Sequence, residues 1–475
     1  MTEEGPVILW FRRDLRLGDH AGLDAACRSG RSVLPVFIHD ETVEALGAAA
    51  RWRLGEGVRV LAEALALRGS RLTFRRGRAL DVLQALVAET GAAAVHWQRV
   101  YDPDGIARDR EVKAALKESG VAAESFPGAV LFEPWTVATG QGGPYSVYSP
   151  FWKAVRGRDP GLPLPAPERI PAPAEWPASE ALDAWRMGAA MRRGAAVVAA
   201  HATIGEAAAA ARLSRFLTEG LHRYSAERDF PALEAGSGLS ESLAWGEISP
   251  RTVWQAAMRA RDEGAGGAEK FLSELGWREF AWHLLYHHPT LAGRNWREGW
   301  DGFPWRGDNP DAERWRRGLT GEPFVDAAMR EMYVTGRMHN RARMIAASYL
   351  TKHLLTDWRV GLRWFQDCLI DWDPAANAMG WQWVAGSGPD AAPYFRIFNP
   401  GTQGEKFDPD GAYCRRWIAE GQAEPPDTAL SYFRAAPERW GLSPDAPYPD
   451  PLIGLAEGRE RALLAYATRR EGLPF

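Results

Sequence analysis

Two carboxylates, a carboxamide and three indoles share one short stretch of this chain. The run DWDPAANAMGWQWVAGSGPDAAPYFRIFNPGTQGEKFDP, residues 371–409, holds Asp371, Trp372, Asp373, Asn377, Trp381 and Trp383 among small residues and few charges. Indole rings stack on planar groups, and a carboxamide accepts or donates a hydrogen bond without adding charge. A plain core segment would keep a clean period of 3.6 or 2, which Gly380, Gly386, Gly388 and Pro389 interrupt. Glycine lets large flat groups approach the backbone closely. The run reads as the wall of a pocket for an aromatic ligand. Asp371 and Asp373 also suit helix N-caps.

Other clusters carry chemistry by spacing. Gly236-Ser237-Gly238-Leu239-Ser240 precedes a helical stretch. Such a loop presents backbone N–H groups to a phosphate, or is a serine-capped turn. Asn340, Arg343 and Met344 fall at i, i+3 and i+4, one helix face, with Arg341 adjacent. They read as a solvated basic patch beside a core methionine, or as a binding face. Glu274, Trp277 and Arg278 repeat that spacing. They form a helix salt bridge with a neighbouring ring, or a face for a base taken out of its stack. No Ser/His/Asp set accompanies these residues. Cys27, Cys368 and Cys414 are too few and too scattered for a disulfide framework, a zinc site or a four-thiolate cluster, so no metal is expected.

Two kinds of element must position these groups. Over 5–130, strand-like runs (VILWF, SVLPVFI, LTFRRG, AAAVHWQ) alternate with helical ones near 50–68, 78–90 and 105–119, which predicts βαβ units and a parallel sheet. No dinucleotide fingerprint or P-loop occurs there. The stretch DPGLPLPAPERIPAPAEWP, 160–178, is a stiff extended linker, placed within a 131–202 connection. From 203 to 475 helical patterns dominate. A chain of 475 residues with 46% hydrophobic and 25% charged residues fits a multi-domain globular protein. No run reaches the ~18 apolar residues a membrane span needs, and the acidic start has no secretory n-region. Cytoplasmic residence and a monomer are the defaults. The net charge of −4 argues weakly against a nucleic-acid partner unless a basic surface is local.

Six segments in order resemble the DNA photolyase and cryptochrome family. They are the 371–409 run, WFRRDLRLGDHAGL (10–23), YSAERDFPAL (224–233), LSESLAWGEISPR (239–251), ELGWREF (274–280) and GEPFVDAAMREMYVTGRMHNRARM (321–344). The resemblance is closest to the bacterial class I branch acting on cyclobutane pyrimidine dimers. It implies a Rossmann-like α/β N-terminal domain and an all-α C-terminal FAD-binding domain. By resemblance, Tyr224 and the 236–240 loop hold the FAD pyrophosphate; the family often has Arg at the position of Gly238. Arg343 pairs with Asp371 beside the flavin. Trp372 and Asp373 belong to the same wall, and Asn377 faces flavin N5, where plant cryptochromes carry Asp. Trp277 and Trp383 bracket the dimer, Glu274 bonds its base edges, and Met344 touches it. Arg228, Arg278, Asn340, Arg341, Arg396 and Gln403 face the DNA. Trp381, Trp358 and Trp305 match an electron relay from flavin to surface. Arg337 stands where the family commonly has an aromatic residue on the pocket rim; it either substitutes a phosphate or base contact for stacking or is merely tolerated there.

The implied function is light-driven dimer repair in UV-damaged DNA by a cytoplasmic, nucleoid-associated enzyme. A cryptochrome photoreceptor is disfavoured by Asn377, by the full Glu274, Trp277 and Trp383 set, and by the lack of an extension after Phe475. A (6-4) photolyase is disfavoured by Asn340, which is histidine in that branch. The third rival, a flavin electron-transfer protein without DNA, leaves the arginines at 228, 278, 341 and 396 unexplained. The antenna site is open: 5,10-methenyltetrahydrofolate, a deazaflavin, another chromophore or no chromophore at all. The family's folate-binding Asn-Glu pair is replaced by Asp104 and Gly105 in YDPDGIARD.

Overall fold

A computed structural model describes residues 5–191, 193–390 and 395–471; the parts of the expected termini and of the 371–409 run outside these ranges are not described. Five parallel strands form one sheet: β1 (Val7–Phe11), β2 (Val33–His39), β3 (Thr73–Arg76), β4 (Ala94–Gln98) and β5 (Ala122–Phe126), in the order β3-β2-β1-β4-β5. Every residue of β1, β2 and β4 is buried, because helices cover both faces, and this is why these strands read as continuous apolar runs. β5 is an edge strand with sequence AAESF; its polar residues hid it from hydropathy.

After residue 195 the described chain is helical, apart from an isolated bridge between Arg306 and Thr356. The longest helix, Ala268–His287, packs against Pro374–Ala385. The segment expected as a connection contributes to both bodies. Its helix Tyr148–Val155 packs on Ala268–His287. Its proline-rich part is extended but not free. Ile170 N–H donates to Arg68 O (3.1 Å), Pro171 O accepts from Val33 N–H (2.7 Å), and Glu180 N–H donates to Phe74 O (3.0 Å). Proline leaves few donors, and the sheet edge takes up what the stretch offers.

The α/β domain is clamped to the helical body by arginines of the 10–23 motif and of the Ala48–Ala66 helix. Arg16 donates to the carbonyls of Asp19, Gly246 and Gly128, and Arg13 to those of Ala244 and Trp372. Arg53, with no exposed surface, pairs with Glu241 and with Glu247 (2.7 Å); both carboxylates are buried. Glu247 also accepts from Gly205 N–H at 2.9 Å. Removing one partner of a buried ion pair leaves an uncompensated charge, which costs about 3–5 kcal/mol. Arg53→Met is therefore expected to lose that much in denaturant unfolding. A loss below about 1 kcal/mol, the size of an ordinary surface change, would show that the domains are held by something else.

Candidate functional site

Three helices turn one face each toward a single cavity of about 330 Å³. Ala268–His287 supplies Phe271, Glu274, Leu275 and Arg278. Asn340–Ser348 supplies Asn340, Arg343, Met344 and Ala347, and Pro374–Ala385 supplies Asn377, Gly380, Trp381 and Val384. Each set has the spacing i, i+3, i+4, i+7 that makes one helical face. Tyr224, Ser237, Leu239, Ser240, Leu243, Phe365, Leu369, Asp371, Trp372, Asp373 and Ala376 complete the lining. Gly236 and Gly238 flank the lining residues without joining them. Gly238 has φ 64°, so the arginine the family often carries would be strained there. Arg212, from the Glu206–Arg215 helix, instead brings a guanidinium to this loop and donates to Gly238 O (3.1 Å).

Capping fixes the helix starts. Asp373 accepts from Ala376 N–H (2.8 Å) and, through its other oxygen, from Trp282 Nε1 (3.1 Å). His339 Nδ1 accepts from Arg341 N–H at 3.2 Å. Burial pulls His339 down to about 4, which keeps the ring neutral and able to accept. Arg343 donates to Asp371 Oδ2 (2.7 Å), and the Ser240 hydroxyl donates to the same oxygen (2.8 Å). The other oxygen of Asp371 is buried without a partner among the described residues, and a side chain at Gly380 would meet open space. An unpaired buried acceptor beside a gap in an apolar wall fits a large ligand with hydrogen-bond donors. FAD is such a ligand. Asn377 donates its side-chain N–H to Leu362 O (3.2 Å), which orients the amide.

At the outer rim, Glu274 is held by Arg228 and by Lys270 (2.8 Å). Arg341 pairs with Asp229 (2.7 Å) and lies over Phe407. Arg278 donates to Glu279 and to Ala129 O, both at 2.9 Å. Trp277 stacks on Tyr148, and Trp383, with Arg396 beside its ring, donates from Nε1 to Asp390 O (3.1 Å). Gln403 keeps its side-chain oxygen buried without a partner. Arg337 donates from Nε to buried Glu241 (2.9 Å), on the side away from Arg53.

The three tryptophans expected to relay electrons sit on or beside neighbouring elements. Trp381, at the cavity, presses on Gly361, where any side chain would collide with the indole. Gly361 is one helical turn from buried Trp358 in Trp358–Cys368. Thr356, just before that helix, pairs with Arg306, the neighbour of half-buried Trp305. Sequence reasoning missed Tyr148, Asp390 and Phe365. Tyr145, Tyr148, Phe151 and Trp152 had helical spacing, but lay in a stretch read as connection.

A buried cavity for a flat ligand, set in a helical body behind a parallel α/β domain, belongs to cofactor-dependent proteins. Residues 7–172 match the family "DNA photolyase" and residues 271–468 match "FAD binding domain of DNA photolyase". A deoxyribodipyrimidine photo-lyase of Agrobacterium fabrum is 45% identical over 97% of this chain and 98% of that one. Cryptochrome-2 of Arabidopsis thaliana is 33% identical over 99% of this chain and 80% of its own length. The crystal structure of a bacterial class III photolyase from Agrobacterium tumefaciens superposes with a TM-score of 0.91, at 43% identity, covering 99% of both chains. The chain belongs to the DNA photolyase family. The six motifs identify that family; they do not separate its class I from its class III members.

Glu279, behind Arg278, is pushed up to about 7 by burial, against the pull of Arg278 and of the Leu131 amide. Its folded pKa lies above the ordinary 4.5, so its ionisation costs stability as pH rises through that window. Glu279→Gln is expected to be more stable than the parent in denaturant unfolding at pH 8, by on the order of 3 kcal/mol, and to match it at pH 4. An equal difference at both pH values would remove the charge of Glu279 as the cause.

Proposed function

We propose that this protein uses light to split cyclobutane pyrimidine dimers in DNA. The observation that carries the reading is the cavity itself. Its inner part is lined for a flat cofactor, Glu274, Asn340 and Met344 line it as well, and Trp277 and Trp383 lie on two of the same helices outside the lining.

Tyr224, the loop Gly236 to Ser240, Arg343, Asp371, Trp372, Asp373 and Asn377 hold FAD. When bound and reduced, FAD supplies on excitation the electron that opens the cyclobutane ring and takes it back afterwards. Arg228, Arg278, Arg341, Arg396 and Gln403 position the strand through its backbone, which carries no sequence information. Trp277 and Trp383 stack on the flipped dimer, Glu274 and Asn340 bond its base edges, and Met344 fills the space beneath. Trp381, Trp358 and Trp305 pass electrons between cavity and surface. Residues 5–130 form the antenna-type domain, 131–202 the connection and 203–475 the catalytic body. The antenna site takes a folate, a deazaflavin or another chromophore, or stands empty. Among the described residues no helix is long and apolar enough to cross a membrane. A monomer in the cytoplasm, working on the nucleoid, suits a DNA substrate.

The deciding experiment is illumination of the reduced protein with DNA carrying one defined thymine dimer. Recovery of thymine absorbance in light and not in darkness is expected. With flavin bound but no recovery, a cryptochrome role or a different lesion, tested with a (6-4) photoproduct, takes its place. Glu274→Ala is expected to lower repair at least about tenfold, the cost of one charge-assisted hydrogen bond, with flavin content unchanged. Trp305→Phe is expected to stop photoreduction of the oxidised protein and to spare repair by chemically reduced protein. Unimpaired photoreduction would take Trp305 out of the relay.

A further inference from the structure

Asp390 touches both walls of the rim. It holds a left-handed backbone, φ 51°, which Asp and Asn tolerate better than other side chains. That conformation directs its two acceptors differently. The backbone carbonyl accepts from Trp383 Nε1 at 3.1 Å, and carboxylate Oδ1 accepts from Tyr148 N–H at 3.3 Å. Tyr148 opens the helix Tyr148–Val155, where the N–H has no partner inside the helix. A carboxylate there both satisfies the donor and complements the positive end of the helix.

The Tyr148 ring in turn lies flat against Trp277, with centroids 3.7 Å apart and planes 10° from parallel. Its hydroxyl donates to Ser273 O at 2.6 Å, one turn before Trp277 on the Ala268–His287 helix. Trp383 is thus tied to Asp390 directly, and Trp277 through Tyr148. Two aromatic faces that are to receive a rigid ligand must hold their planes before it arrives, because ordering them on binding would cost affinity.

We infer that Asp390 is a positioning residue that sets the separation and tilt of Trp277 and Trp383, and through them the preference for dimer over undamaged DNA. The inference rests on the reading that these two rings bracket the dimer. It concerns geometry at the rim and leaves the flavin pocket untouched.

The test measures dissociation constants of the flavin-loaded protein for a duplex with one thymine dimer and for the same duplex undamaged. The variants are Asp390→Ala, Asp390→Gly, Asp390→Asn, Trp277→Ala and Trp383→Ala. Asp390→Gly keeps the left-handed backbone and the carbonyl while deleting the carboxylate, so it stays informative if Asp390→Ala fails to fold. Both are expected to weaken dimer binding roughly ten- to hundredfold, the range for losing a charge-assisted hydrogen bond, with undamaged binding unchanged. Asp390→Asn keeps an acceptor oxygen and the backbone preference, and is expected to restore most of the affinity. If Asp390→Gly binds the dimer like the parent while the tryptophan variants lose it, the inference falls and the bracket stands. If both tryptophan variants keep the affinity, the bracket itself falls. If Asp390→Gly weakens both duplexes equally, the residue is structural and sets no preference.

Discussion

Arg53 is a guanidinium with no exposed surface, held between two buried carboxylates, and the site depends on it. It lies in the α/β domain, whereas Glu241 immediately follows Ser240 of the loop that lines the cavity. Glu241 also takes Arg337, the residue before Met338. The carbonyl of Met338 accepts Arg343 Nε at 2.8 Å, Arg343 reaches Asp371, and Asp371 accepts from Ser240. The contacts therefore close a ring that returns to the loop where it began. Shifting any one member displaces the others, so the loop, the start of Asn340–Ser348 and the DWD turn keep a common geometry. Buried charges are costly ways to gain stability. What this ring supplies is a fixed relation between three segments that are far apart in sequence.

The α/β domain contributes to the cavity only through such supports. Arg13 binds the carbonyls of Ala244 and Trp372, and its guanidinium lies over the rings of Trp245 and Trp372. Arg16 satisfies backbone carbonyls on both sides of the domain boundary, including Gly246 and Gly128. A guanidinium offers five donors in a fixed plane, and that suits it to a seam where several carbonyls would otherwise be buried unpaired. The arginines of WFRRDLRL are fasteners, although their density in sequence resembles a phosphate-binding patch.

What could be read from sequence follows from the range of each interaction. Strands β1, β2 and β4 were legible because burial on both faces leaves an unbroken apolar run, and edge strand β5 was not. The cavity faces were legible in part, since i, i+3 and i+4 spacing is local and Glu274 with Arg278, or Asn340 with Arg343, display it directly. The role of Arg337 stayed open because its partner, Glu241, is remote in sequence and identifiable only once the helices are packed. Tyr148 and Asp390 were missed for the same reason. Each is unremarkable among its sequence neighbours, and their meaning lies in a contact between residues 148 and 390. Local periodicity reports which way a side chain faces; it does not report what it meets.

Charge at the rim also explains how a chain of net charge −4 can serve a polyanionic substrate. The cations proposed to meet DNA are paired: Arg228 with Glu274, Arg341 with Asp229, and Arg278 with Glu279. Each of these guanidinium groups is largely buried, so a phosphate that takes the carboxylate's place keeps the charge compensated instead of leaving it unpaired. Undamaged DNA offers phosphates but leaves Glu274 nothing new to bond. On the proposed reading, a base drawn out of the stack offers donors to Glu274 at the same moment that the strand offers phosphates to Arg228, so pairing at the rim would couple recognition of the base to grip on the backbone.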